Sequence, residues 1–322
     1  MSQSEQIKEI TDKLQKGIAD LFVSDAYKDY LKTMSKFTSY SLNNTLLIAM
    51  QKPEATTVAG YTTWKQLNRQ VLKGSKSIKI LAPCIYKKKP DSDMTDTSNK
   101  IAQNNNDNAK PKEPEKVLVG FKIVNVFDVS QTEGEPLPEL AHKLDGSVDG
   151  YSDFIEALKQ FSPVPIEFKS VEGSANGYYH LVDKNIVIDD GMSQMMNIKT
   201  SIHEIAHALL HDKDNGIEKD NSLNKQTKEV QAESVAFTVS NYFGIDTSDY
   251  SFGYIGGWSN GKDLKELKSS LETIRQTSQM IIAGIEQKLD AIKQSKQLNL
   301  SISVPKDNPT KSKPLHQMSI SH

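Results

Sequence analysis

Thr200-Ser201-Ile202-His203-Glu204-Ile205-Ala206-His207-Ala208-Leu209-Leu210-His211 is the stretch that decides how this 322-residue chain folds. Ile198, Ile202, Ile205, Ala206, Leu209 and Leu210 recur at helical spacing, Ser193 stands where an N-cap belongs, and no Pro or Gly falls between Met192 and Asp214. The spacing predicts a helix packed on a core. On that helix His203 and His207, four residues apart, project from one face a turn apart. Both imidazoles can then reach one tetrahedral Zn2+, and Glu204 beside them can serve as general base toward a water on the metal. The pattern fixes only three positions, and alone it also describes a solvated amphipathic helix with two surface histidines.

A catalytic zinc site needs a third protein ligand and an open fourth position. Residues 227–237 read as a second helix, with Val230, Phe237 and the small Ala232 and Ala236 allowing close packing. A polar loop, about 212–226, turns the chain back, so an antiparallel pair can present Glu233 to a metal held by His203 and His207. Glu229, one turn earlier, is the competing choice, or a group that orients a histidine. His211 lies eight residues beyond His203, about 12 Å along a helix rising ~1.5 Å per residue, too far to share the ion. Its place is ascribed to the helix C-terminus, where a histidine is favoured.

Upstream the chain fits a small α+β zincin. Residues 151–161 read as a helix, and 165–171, 178–181 and 185–188 as short strands, with Asp183-Lys184 as a turn. A strand at the sheet edge would lie along the cleft, where a peptide substrate adds by strand pairing. Tyr178, Tyr179 and His180 fall near that edge; packing explains such aromatics, and no catalytic role is given to them. Residues 263–294 form a long amphipathic pattern that should pack on this core, and 253–261 a tight loop feeding it.

There is no run of about 18 apolar residues, so no membrane span is expected, and the first residues lack the apolar core of a signal peptide. The single cysteine, Cys84, excludes an internal disulfide framework and a cysteine-rich zinc site, and fits the cytoplasm.

Net charge is −2, yet residues 1–90 hold fifteen Lys or Arg against seven Asp or Glu, a balance of +8 that leaves −10 for the remainder. No acidic residue stands between Glu54 and Asp91, a window holding Lys65, Arg69, Lys73, Lys76 and Lys79 interleaved with Tyr61, Trp64 and Tyr86. Cations among aromatics are a footprint for single-stranded nucleic acid, where charges track phosphates and rings stack on bases. A solvated lysine face is the plainer account. Helices are expected at 4–22, 26–37, 42–51 and 61–72, and strands at 78–82 and 117–129. The Asp-, Asn-, Lys- and Pro-rich stretch 90–115 between those strands reads as a flexible excursion within the first domain.

Tyr40-Ser41-Leu42-Asn43-Asn44-Thr45-Leu46-Leu47, Ala59-Gly60-Tyr61-Thr62-Thr63-Trp64, residues 74–80 and Val126-Phe127-Asp128-Val129-Ser130-Gln131-Thr132 together resemble the N-terminal domain of ArdC-type antirestriction proteins. That family includes LtrC-like proteins of conjugative plasmids and related mobile elements. Its C-terminal half is a zincin-like metallopeptidase, and His203-Glu204 to His207 with Ala232-Glu233-Ser234 is similar to that pattern. Relatives of the same peptidase type include the ImmA/IrrE group, which act on repressors.

The resemblance implies an α+β chain of two domains. Residues 1–131 would form a single-stranded-DNA-binding domain, 132–150 a linker, 151–293 the metallopeptidase domain and 294–322 a disordered tail. It implies His203, His207 and Glu233 as Zn2+ ligands, with another divalent first-row ion as an alternative, and Glu204 as base. Asn44, Trp64, Lys65, Arg69, Lys73 and Lys76 are the expected DNA contacts, with Trp64 alternatively a core residue. Such a protein would shield incoming DNA from restriction and cleave an unidentified protein or peptide. Other readings are a protease that cuts a repressor, and a DNA-binding protein whose zincin half is silent. Lysine supplies nearly all the positive charge, which favours sequence-independent phosphate contact over bidentate recognition.

Overall fold

The first helix, α1 (Gln3–Leu21), opens on a capping box: the Ser2 hydroxyl accepts from the Glu5 N–H while the Glu5 carboxylate accepts from the Ser2 N–H. Ile10, Leu14 and Ile18 line its buried face. Helices α2 (Ala26–Lys36) and α3 (Leu42–Gln51) follow, the latter capped by Ser41. The computed structural model describes residues 2–22, 25–87, 116–137, 148–173, 175–214, 216–217 and 223–303. The expected excursion at 90–115 therefore lies outside the described residues, as do 138–147 of the expected linker and 304–322 of the expected tail.

Next come β1 (Val58–Ala59), the short helix α4 (Tyr61–Gln66), β2 (Arg69–Val71) and a long hairpin of β3 (Ile78–Lys87) and β4 (Lys116–Asp128). β4 pairs antiparallel with β1 on one side and β3 on the other. Chain 61–72, expected as one helix, breaks after Gln66. Asn68 turns the backbone at φ 55°, and Arg69–Val71 pair with β5 (Thr132–Gly134). A Cβ on Gly134, whose φ is +133°, would stand 2.2 Å from the Asn68 carbonyl oxygen, so this turn requires glycine. The stretch read as linker thus begins as a strand of the first half.

Helix α5 (Val148–Phe161) leads into β6 (Ile166–Phe168), β7 (Gly177–His180) and β8 (Asn185–Ile188). β8 is the middle strand, parallel to β6 and antiparallel to β7, which leaves β7 on the edge. Lys184 makes the expected turn at φ 51°. Helices α6 (Gln194–His211) and α7 (Lys225–Tyr242) pack closely. The short helix α8 (Ile255–Ser259) stands where a loop was expected, and α9 (Leu264–Ser303) runs past the expected end at 294 to pack on α5 and α7. The fold is α+β, and buried side chains from both halves join in one continuous core. Across it, α2 packs directly on α7.

Candidate metal centre

Ser193 caps α6 by accepting from the Met196 N–H, and Ile198, Ile202, Ile205, Ala206 and Leu210 bury its apolar face. This phases His203 and His207 toward α7, where the two Nε2 atoms stand 3.1 Å apart. Asn224 caps α7 and starts the helix that carries Glu229, Gln231 and Glu233.

One Glu229 oxygen lies 3.6 Å from the Nε2 atoms of both His203 and His207. Donor atoms of His203, His207 and Glu229 all fall within 4.8 Å of one another, the spacing of a set able to close on one cation. Glu233, expected as third ligand, is instead 3.2 Å from Nδ1 of His203, on the opposite edge of that ring. The physical reason is helix phase: the two glutamates share a face one turn apart, and the crossing of α6 and α7 brings the earlier one to the convergence of the imidazoles. The geometry therefore brings Glu229 to the two Nε2 atoms and Glu233 to the Nδ1 side of the His203 ring.

The electrostatics follow from this crowding. Hydrogen bonds to His203 and His207 hold the Glu229 carboxyl well below its usual range. Burial alone would push His203 down, but hydrogen bonds to Glu229 and Glu233, with the charge of Glu204, outweigh it and raise it to about 10. Glu204 is 7 % exposed, and burial raises its proton affinity against the opposing charges of His203 and His207. Its carboxylate accepts from the backbone N–H of Tyr179 on β7. Tyr179 is held in turn by its hydroxyl, which donates to Asp212, and Asp212 also pairs with Lys184.

His203, Glu204 and Glu233 line a cleft of about 360 Å³ bounded by Gly177 at the start of β7. A Cβ on Gly177 would meet the Val187 carbonyl oxygen at 2.8 Å and Thr200 Cγ2 at 2.9 Å, so glycine lets the edge strand close on α6. His211 is the last residue of α6, as expected, and it has further partners. It is buried between His207 and Gln231, a partnership with a second helix that no local pattern announces.

The expected DNA contacts separate. Lys65, Lys73 and Lys76 are exposed. Trp64 is fully buried, its indole N–H donating to the Phe127 carbonyl at 2.9 Å, which corrects its assignment to a core residue. Asn44 is half-buried, and its amide brackets the backbone of Leu81, donating to the carbonyl and accepting from the N–H, both at 2.8 Å. Arg69 is spent on Thr132, Gly134 and Glu135, fastening β2 to β5. Tyr61 on α4 and Tyr86 on the hairpin, the other aromatics of the basic window, are exposed, as is Phe121 on the hairpin, which the sequence reading did not name. Among the described residues no helix is long and apolar enough to cross a membrane.

Fold and site together define an α+β protein whose second half is a zincin-like helix pair. Residues 3–127 match the family model of the N-terminal domain of anti-restriction factor ArdC, and residues 162–250 match that of the IrrE N-terminal-like domain of the M78 peptidase type. The chain thus joins a first half similar to the ArdC N-terminal domain to a second half similar to the IrrE-type domain. An uncharacterised protein of Bacillus anthracis is 27 % identical over 321 residues, which take in 92 % of this chain and 54 % of the relative. The chain spans about half the length of the curated relative it matches. Its fold is similar to the Mn(II)-bound antirestriction ArdC protein from plasmid R388, with TM-score 0.51 and 17 % identity over 86 % of this chain and 97 % of that one. The metal-free form of that protein gives 0.49 and 17 %, over 78 % and 86 %.

Proposed function

We propose that this chain is an antirestriction protein of a mobile element that binds single-stranded DNA and carries a divalent-metal peptidase centre, Zn2+ being the ion the donor set suits best. The observation that carries the peptidase reading is the convergence of His203 Nε2, His207 Nε2 and the Glu229 carboxylate beside Glu204 and an open cleft. Two imidazoles and a carboxylate are a donor set such an ion accepts, and the fit is good because each ring has a partner at its far nitrogen. When bound, the ion supplies a Lewis acid that polarises a carbonyl and acidifies a water.

The chain's own residues supply the remainder. Glu204, buried and with raised proton affinity, accepts the proton of a water attacking a peptide carbonyl and returns it to the leaving nitrogen. The open edge of β7 offers backbone groups that hold an extended peptide along the cleft. For DNA, Lys65, Lys73 and Lys76 supply phosphate contacts, and exposed Tyr61 and Tyr86 supply ring faces. The ArdC-type match over residues 3–127 supports this role for the first half.

Glu204→Gln tests the peptidase reading: the variant should keep stoichiometric metal by elemental analysis and lose cleavage of an unfolded protein substrate. Wild-type protein that holds metal yet cleaves nothing sinks it and leaves a silent zincin half. No single-strand binding at low salt sinks the DNA reading.

A further inference from the structure

Gln231 stands on α7 between Glu229 and Glu233, 1 % exposed, and its side-chain oxygen lies 2.8 Å from Nε2 of His211. An amide oxygen only accepts hydrogen bonds, so the ring proton of His211 resides on Nε2. If His207 binds an ion through Nε2, its own ring proton sits on Nδ1 and needs an acceptor, and the buried His211, with its proton on Nε2, offers the lone pair of its Nδ1. That nitrogen faces Nδ1 of His207 at 3.0 Å. Two ring nitrogens attract at this distance only when one carries the proton, which here must be His207. His207 is then protonated at Nδ1 and bare at Nε2, the atom that faces His203 and Glu229.

We propose that Gln231, acting through His211, is a positioning residue that fixes the tautomer of His207 so that its Nε2 lone pair is presented to a divalent cation. The inference rests on the metal-centre reading above and adds two residues that touch no ion. It gives the two imidazoles matched supports of different kinds. Glu233 accepts from Nδ1 of His203 directly, with a charge, whereas His207 is set through a neutral ring and a neutral amide. The neutral relay fixes orientation without adding a further carboxylate to a site that already holds Glu204, Glu229 and Glu233.

The test is 15N NMR of the histidine rings in the metal-free full chain, beside Zn2+ affinity by chelator competition. Wild type should show His211 protonated at Nε2 and His207 at Nδ1. Gln231→Leu, which removes the acceptor, should disturb both ring signals and weaken Zn2+ binding about 10–100-fold in a chain that remains folded. Gln231→Glu, which keeps an oxygen at that position, should restore most of the affinity. A proton on Nδ1 of His211 or on Nε2 of His207 in the wild type overturns the inference, whatever the variants do. Unchanged affinity in folded Gln231→Leu overturns it as well. Wild-type protein that binds no Zn2+ would instead sink the metal-centre reading, and the ring spectra would still judge the relay.

Discussion

The hydroxyl of Tyr27 lies 2.7 Å from Oγ of Ser234, in a contact where both residues are fully buried. It ties α2 of the first half to the helix bearing Glu229 and Glu233, one residue from the latter. Asn241 to Ser35 and Lys28 to the Tyr250 carbonyl extend the seam. Ser234→Ala leaves the Tyr27 hydroxyl unsatisfied in the core and should cost about 1–3 kcal/mol in urea unfolding. Tyr27→Phe with Ser234→Ala should cost less than the two single changes added, since the double variant strands no polar group. Strict additivity would mean the contact is not made.

Because one core runs through both halves, they should unfold together. The chain offers two reporters: Trp64, bonded to Phe127, and Trp258, whose indole N–H donates to Thr227 on α7 and whose ring lies 5.5 Å from Phe22. Fluorescence of Trp64→Phe and Trp258→Phe variants each follows one half. Within each variant, the fluorescence midpoint should coincide with that from far-UV circular dichroism. Separate midpoints would show halves that fold independently despite the seam.

DNA binding should depend on the exposed lysines and not on Trp64. Replacing Lys65, Lys73 or Lys76 with Gln should weaken binding to a mixed-sequence single strand, each reducing the slope of log K against log salt by about 0.7. Tyr61→Ala should cost about 1–3 kcal/mol if its ring stacks on a base. Trp64→Phe should leave the slope unchanged while destabilising the fold by about 1–3 kcal/mol, because the Phe127 carbonyl loses its donor. A Trp64 variant that folds normally and loses DNA would reverse this division.

These cases mark what the sequence makes legible. Helix α6 and its Ser193 cap are readable because periodicity and capping are local, and the same holds for α3 and the hairpin of β3 and β4. The strands β1, β2 and β5 are two or three residues long, too short for alternation to register, and they exist through partners 61 to 70 residues away. Glu229 and Glu233 share one helical face, so only the crossing of α6 and α7 tells them apart. Trp64 reads equally as a stacking ring or a core ring until the carbonyl of Phe127 is found against it. His211 has one partner, His207, on its own helix and another, Gln231, on α7, and the second is not readable from local spacing.

Asp128 should make the first half sensitive to acid. Its carboxylate accepts from the backbone N–H groups of Thr56 and Thr57 at 2.8 and 3.1 Å, and from that of Ser130 at 2.9 Å. Burial opposes the charge, but these bonds prevail and hold the group below its ordinary value. With the folded pKa depressed, the stabilisation is present above the unfolded value near 4 and lost as pH falls through the folded one. Asp128→Asn should therefore be less stable than wild type by about 1–3 kcal/mol at pH 7. The gap should narrow below about pH 4, where the carboxylate of the unfolded wild-type chain takes up a proton before the folded one does. A gap that widens in acid would mean the carboxylate is strained in place.

Adding Zn2+ should separate the two glutamates of α7. A ligand that binds only the folded chain stabilises it by about 2.7 kcal/mol at one hundred times its dissociation constant, which a thermal melt resolves easily. Wild type should show that rise. Glu229→Ala removes the oxygen that faces both Nε2 atoms and should abolish it. Glu233→Gln retains an oxygen that can accept from His203 Nδ1, so its melt should still rise, with an affinity lower by about tenfold. The opposite ranking, a silent Glu233→Gln and a responsive Glu229→Ala, would return the third ligand to Glu233. It would also require α7 to rotate on α6 when the ion binds, since its present phase turns Glu233 to the far edge of the His203 ring.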